Sequence, residues 1–157
     1  VLAAGGIGNG RQMAAAMSMG AQGIWCGSLW LTVEEAAAQP AEKESYLNAT
    51  SEDTIRSKAW TGKPARMLKN KWTEAWDNPE NPDPLPMPLQ GMITFDAMRR
   101  TSIYAGSGNT QDVSFNAAGQ VIGQIKQIES VKDVMYGLIS EYLDSVERLN
   151  NLLPKEE

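Results

Sequence analysis

The alternation of apolar and polar positions divides residues 1–28 into strand, helix and strand. Residues 1–4 form a short apolar run without polar alternation, the pattern of a strand buried on both faces. The run stops at Gly5-Gly6, and Ile7-Gly8-Asn9-Gly10 follows as a loop. Residues 11–19 are rich in Ala and Met, and Met13, Ala16 and Met17 recur at helical spacing, a face expected to lie on the sheet. Asn9 is placed to cap this helix, and Gly20 to close it in the left-handed conformation common just past a helix end. A second apolar run, residues 21–26, ends at Gly27-Ser28.

Beyond this unit the pattern predicts mainly helices. Residues 29–31 read as a helical turn. Thr32 with Glu35 has the spacing of a capping box, predicting a short helix over 32–38 that Pro40 ends. A further short helix is expected over 45–51 and a strand over 54–60, followed by a turn at Thr61-Gly62-Lys63-Pro64. Leu68, Trp72 and Trp76 stand four residues apart, which predicts one helix over 67–76. Residues 77–91 hold five of the eight prolines and predict an ordered, extended crossing. A helix is expected over 94–105. The last helix is the clearest. Ser130 with Asp133 starts it, and Val131, Val134, Met135, Leu138, Ile139, Tyr142, Val146 and Leu149 mark one apolar face. That face is expected to dock on the sheet layer and is also available to a second subunit. Pro154 and the Lys155-Glu156-Glu157 tail end the helix.

Small residues at the C-terminal end of two successive strands have a chemical use. Ligands of α/β proteins bind outside the carboxyl ends of parallel strands. Glycine there lets a phosphate approach backbone N–H groups, and a following helix N-terminus adds partial positive charge. Tight turns with no ligand are the alternative that spacing leaves open. A dinucleotide fold is disfavoured, since Gly6, Gly8 and Gly10 are spaced G-x-G-x-G and Gly27-Ser28 stands where an acid should bind ribose. Cys26 reads as packing, because no histidine is present to activate a thiolate. Arg11, Lys63 and Arg66 read as surface cations, and an anion contact is their alternative role.

Composition narrows the chemistry. The 157 residues carry a net charge of −5, and the pI of about 4.8 argues against a nucleic-acid surface. No apolar stretch approaches the roughly 20 residues of a membrane helix. The absence of histidine excludes Ser-His-Asp and Cys-His catalysis within these residues, and His-ligated zinc. One cysteine excludes an intramolecular disulfide framework and fits a cytoplasmic location.

The residues themselves are more specific than their spacing. VLAAGGIGNGRQ and GAQGIWCGSLWLT resemble the nitronate monooxygenase (2-nitropropane dioxygenase) family. The resemblance continues through Thr61-Gly62-Lys63-Pro64-Ala65-Arg66, Pro84-Leu85-Pro86-Met87-Pro88-Leu89-Gln90 and Gly119-Gln120. It implies an α/β fold, the C-terminal part of a TIM (β/α)8 barrel with strands 7 and 8, plus a mainly helical C-terminal extension. Residues 1–32 would be the last two β/α units with the phosphate loops, and residues 33–157 the extension with its Pro-rich crossing at 77–91. It implies FMN as cofactor, a small nitronate and dioxygen as substrates, no nucleic-acid or membrane partner, and leaves a homo-oligomer open. Gly5, Gly6, Gly27 and Ser28 would hold the FMN phosphate, and Gln120 would contact the flavin ring or a ribityl hydroxyl. The family's histidine base would lie upstream of Val1, so the chain is expected to be a fragment without a catalytic residue of its own and inactive when isolated. Two alternatives remain: a related FMN barrel that reduces enoyl thioesters or quinones with a nicotinamide cofactor, and a half barrel that binds nothing alone.

Overall fold

Leu2–Ala4 (β1) and Gly23–Trp25 (β2) pair in parallel, with Gly10–Ser18 (α1) between them in sequence. The structure of the protein is a computed structural model that describes residues 1–154, so the Lys155-Glu156-Glu157 tail lies outside the described residues. Pro40–Asn48 (α2), the antiparallel pair Thr54–Ser57 (β3) and Ala65–Leu68 (β4), Lys71–Trp76 (α3), Leu89–Ile103 (α4) and Val131–Asn150 (α5) follow. The chain divides into two compact units. One is Val1–Ala36 together with the chain from Gln127 onward, and the other is Ala37–Lys126. The segment 33–157 is therefore shared between the two units.

In the first unit the capping signals act as read, whereas β1, expected to be buried on both faces, leaves Leu2 and Ala4 exposed. The Asn9 side chain accepts from Gln12 N at 2.9 Å, and Gly20 has φ +99°. Ser130 accepts from Asp133 N at 3.1 Å and opens α5. Helix packing differs from the expectation. Gly10, Ala14 and Ala16 are the buried residues of α1, and α5 packs on this helix as well as β2. A Cβ on Gly10 would collide with the Leu138 carbonyl, the Tyr142 amide nitrogen and the Glu141 Cβ. The two helices thus meet at backbone-to-backbone distance, which only glycine permits.

Glu35 also has a different role. No helix covers residues 32–38. The Glu35 carboxylate instead accepts from Val131 N, at 2.9 and 3.2 Å to its two oxygens, and so caps α5. Pro40 starts α2 rather than ending a helix, since its missing N–H costs nothing at the first helical position. That start moves the expected 45–51 helix back to Pro40–Asn48.

The second unit is built around β4. Residues 67 and 68 belong to this strand, not to a helix with Trp72 and Trp76. The Asn70 side chain caps α3 by accepting from Thr73 N at 3.1 Å, which separates strand from helix. β4 pairs with β3 on one side. On the other, Leu68 N donates to Asn116 O at 2.9 Å and Ala118 N to Arg66 O at 3.2 Å. Arg66 Nη1 also donates to Thr54 Oγ1 at 3.0 Å, a structural tie between the paired strands. Trp60 is buried with Ala59 and Met67, and stacks on Trp72 at a centroid distance of 4.4 Å.

Two of the motifs singled out in the sequence meet in this unit. Gly62 has φ +76°, and a Cβ there would strike Leu85 O, Met87 N and Pro86 C. The Gly62 turn therefore seats the Pro-rich crossing. Helix α4 begins at Leu89, so the crossing is shorter than expected. Its first turn buries Gln90 completely. Gln90 Nε2 donates to Ala59 O at 2.8 Å, and its Oε1 accepts from Leu85 N at 3.0 Å. Thr94 Oγ1 adds a 2.6 Å bond to Trp60 O. Replacing Gln90 by Leu removes both bonds, leaving the Leu85 amide without this acceptor and Ala59 O with only a 3.4 Å bond from Trp72 Nε1. Gln90→Leu is expected to cost about 2 kcal/mol of stability, measured by denaturant unfolding.

Candidate functional site

The parallel register sets the geometry of the candidate site. Ala4 lies opposite Trp25, so the chain leaves β1 and β2 at the same level. Gly5 and Gly6 follow β1, and Cys26, Gly27 and Ser28 follow β2. Four of the five residues proposed from sequence are thereby brought to one edge of the first unit. Gly5 and Gly6 have φ of +92° and +73°, backbone that L residues rarely adopt. Both are exposed, and a Cβ built on either meets nothing within 4 Å. Gly27 is equally open, but its φ of −110° is ordinary. Its own turn therefore does not require glycine. Ser28 is half-buried and opens a single 3-10 turn, Ser28–Trp30, closed by Trp30 N donating to Gly27 O at 3.1 Å.

The N-terminus of α1 is already occupied. Gly10 N donates to Glu141 Oε2 at 2.8 Å, and Gly8 N to Gln12 Oε1 at 2.7 Å. The expected positive end of this helix is thus met by the protein's own carboxylate. Glu141 escaped the sequence reading because its partner is 131 residues away and its neighbours mark only a helix. Cys26 is partly buried, and that burial raises its thiol pKa above the ordinary value. This agrees with a packing role. Arg11 is exposed.

Gln120 belongs to the second unit. It is exposed at the start of the 3-10 turn Gln120–Gln124, and its carbonyl accepts from Ser51 Oγ at 2.7 Å. The close approach at this turn falls on Gly123, where a Cβ would meet Ser51 Oγ at 2.6 Å.

The nitronate monooxygenase family model matches residues 1–141. The chain belongs to the nitronate monooxygenase family. A Mycobacterium tuberculosis protein named as a monooxygenase is 46% identical over 157 residues, covering 99% of this chain and 42% of its own length. A Bacillus subtilis protein named as a nitronate monooxygenase is 37% identical over 141 residues, covering 90% of this chain and 39% of its own. The chain therefore spans about two-fifths of these relatives. FabK from Thermotoga maritima aligns over 98% of this chain and 47% of its own, with a TM-score of 0.77 and 27% identity. A nitroalkane oxidase from Streptomyces ansochromogenes has a TM-score of 0.81 at 24% identity over 95% of this chain and 41% of its own, a likeness of fold. In this nitronate monooxygenase family chain, the two glycine-ended strands fall within the matched residues, as does Glu141. Among the described residues no helix is long and apolar enough to cross a membrane, and no cluster of acidic and cysteine side chains could hold a metal.

Proposed function

We propose that this chain is the phosphate-holding C-terminal part of an FMN-dependent oxidoreductase that oxidises alkyl nitronates with dioxygen. The observation that carries the reading is the pair of aligned strand exits with three glycines open to approach, Gly5, Gly6 and Gly27. They fit the phosphate end of FMN, since bare backbone N–H groups suit an anion that no side chain shields. Gly5, Gly6 and Gly27 would donate from the backbone and Ser28 from its hydroxyl. FMN would supply the redox centre between nitronate and dioxygen. These residues bind and orient it.

The barrel belongs to the same proposal. β1 and β2 would be strands 7 and 8 of a (β/α)8 barrel, completed by residues outside this chain. Leu2 and Trp25 are exposed on this strand pair, Trp25 by 68%, and further strands would cover them. The histidine base, which would take the α-proton of a neutral nitroalkane to give the nitronate, would also lie outside these residues, since the chain has no histidine. The cytoplasm is the compartment that the single Cys26 fits.

Oxygen uptake tests the reading. The complete enzyme with FMN is expected to consume oxygen only when an alkyl nitronate is added, and residues 1–157 alone are expected to consume none. Nicotinamide-dependent reduction of an enoyl thioester or quinone, with no nitronate turnover, would replace this reading by the reductase one. A compact monomer of residues 1–157 that consumes oxygen with added FMN would refute the placement of the base elsewhere.

A further inference from the structure

We propose that Glu141 is a positioning residue of the flavin phosphate site, a role that rests on the FMN reading above. Glu141 stands on α5 and reaches the first turn of α1, where its Oε2 accepts from Gly10 N at 2.8 Å. The same turn is tied to the loop after β1. Gln12 N donates to Asn9 Oδ1 at 2.9 Å, and Gln12 Oε1 accepts from Gly8 N at 2.7 Å. These bonds fall on neighbouring residues, so α5, the first turn of α1 and the Gly8 end of the loop are held together, with the chain itself joining Gly10 to Asn9. Gly10 makes this possible, because its missing side chain lets α5 approach.

Two consequences follow for the phosphate. The carboxylate takes up a first-turn donor of α1, at Gly10. The donors left to the phosphate are those of the strand exits, at Gly5, Gly6 and Gly27. The loop after β1 has two successive left-handed glycines, Gly5 and Gly6, and its other end is tied at Gly8 to Gln12 of α1, the helix whose first turn Glu141 holds. A helix remote in sequence thus shapes the cofactor site without touching the cofactor.

Glu141→Ala and Glu141→Gln in the complete enzyme, each titrated with FMN and with riboflavin, test this. Riboflavin lacks the phosphate and reports only on the ring and ribityl contacts. Glu141→Ala is expected to weaken FMN by up to about tenfold, as the start of α1 and the loop tied to it lose the charge-assisted bond that holds them, with riboflavin affinity unchanged. Glu141→Gln keeps a carbonyl acceptor and is expected to recover most of the loss. Equal loss of both ligands, or loss of neither, overturns the proposal. Should Glu141→Ala fail to fold, amide exchange on the unaltered enzyme decides. The Gly10 amide is expected to be protected before and after FMN, while the Gly27 amide becomes protected only with it. A Gly10 amide that gains protection on FMN binding overturns the proposal. An unaltered enzyme that binds neither flavin refutes the FMN reading itself, and this role of Glu141 with it.

Discussion

Gly10→Val is expected to destabilise the complete enzyme by about 3 kcal/mol or more, the largest stability effect of any single substitution considered in the first unit. The added Cβ falls on the Leu138 carbonyl and the Tyr142 amide nitrogen, which are backbone atoms of α5. No rotamer change can relieve such a contact, so the helices must separate. Separation also removes the Glu141 carboxylate from Gly10 N, leaving a helix N-terminal donor unpaired. A control on the same helix pair isolates the cause. Gly137 lies within α5, and a Cβ there meets nothing within 4 Å. Gly137→Ala is expected to stabilise by roughly 0.5–1 kcal/mol through helix propensity alone. Thermal unfolding of the two variants checks both signs. A Gly10→Val enzyme that melts with the unaltered one would show that α1 and α5 do not meet as described.

Gly27→Val is expected to leave stability nearly unchanged and to lower FMN affinity by about 2 kcal/mol or more, roughly 30-fold. The two halves of this expectation have separate causes. The backbone at Gly27 has φ −110° and ψ −64°, outside the left-handed region that demands glycine, and a Cβ there has open space around it. The fold therefore has no reason to object. A bound phosphate does, because the branched side chain would occupy the approach and leave a phosphate oxygen without its donor. Gly5 and Gly6 are poorer positions for this test, since φ of +92° and +73° penalise any side chain before the ligand arrives. Flavin titration beside thermal unfolding separates the effects. Unchanged flavin affinity in Gly27→Val would remove Gly27 from the site.

The parts legible in the sequence are those whose partners lie within a few residues. Asn9 and Ser130 cap helices through N–H groups three positions on, and Gly20 relieves strain in its own backbone. The paired strand exits were legible for the same reason, since each glycine run directly ends its strand. What failed depends on distant partners. Thr32 and Glu35 have capping-box spacing, yet Glu35 finds its donor at Val131. Leu68, Trp72 and Trp76 have helical spacing, yet the Leu68 amide is held by Asn116 and Asn70 starts the helix. In both cases a tertiary hydrogen bond overrode a local pattern that was real but not decisive. Gln90 stood within a quoted motif, and its bonds to Ala59 and Leu85 give it a buried structural role in the second unit. Gly10 carried no signal that distinguished it from the loop glycines beside it, because its reason lies on α5.

The central claim is that the exits of β1 and β2 hold the single terminal phosphate of FMN. The complete enzyme, purified without added flavin, should release its cofactor on heating, and chromatography against FMN, FAD and riboflavin standards identifies it. The account predicts FMN. Recovery of FAD alone, or of no flavin from a protein that also fails to bind added FMN, would contradict it.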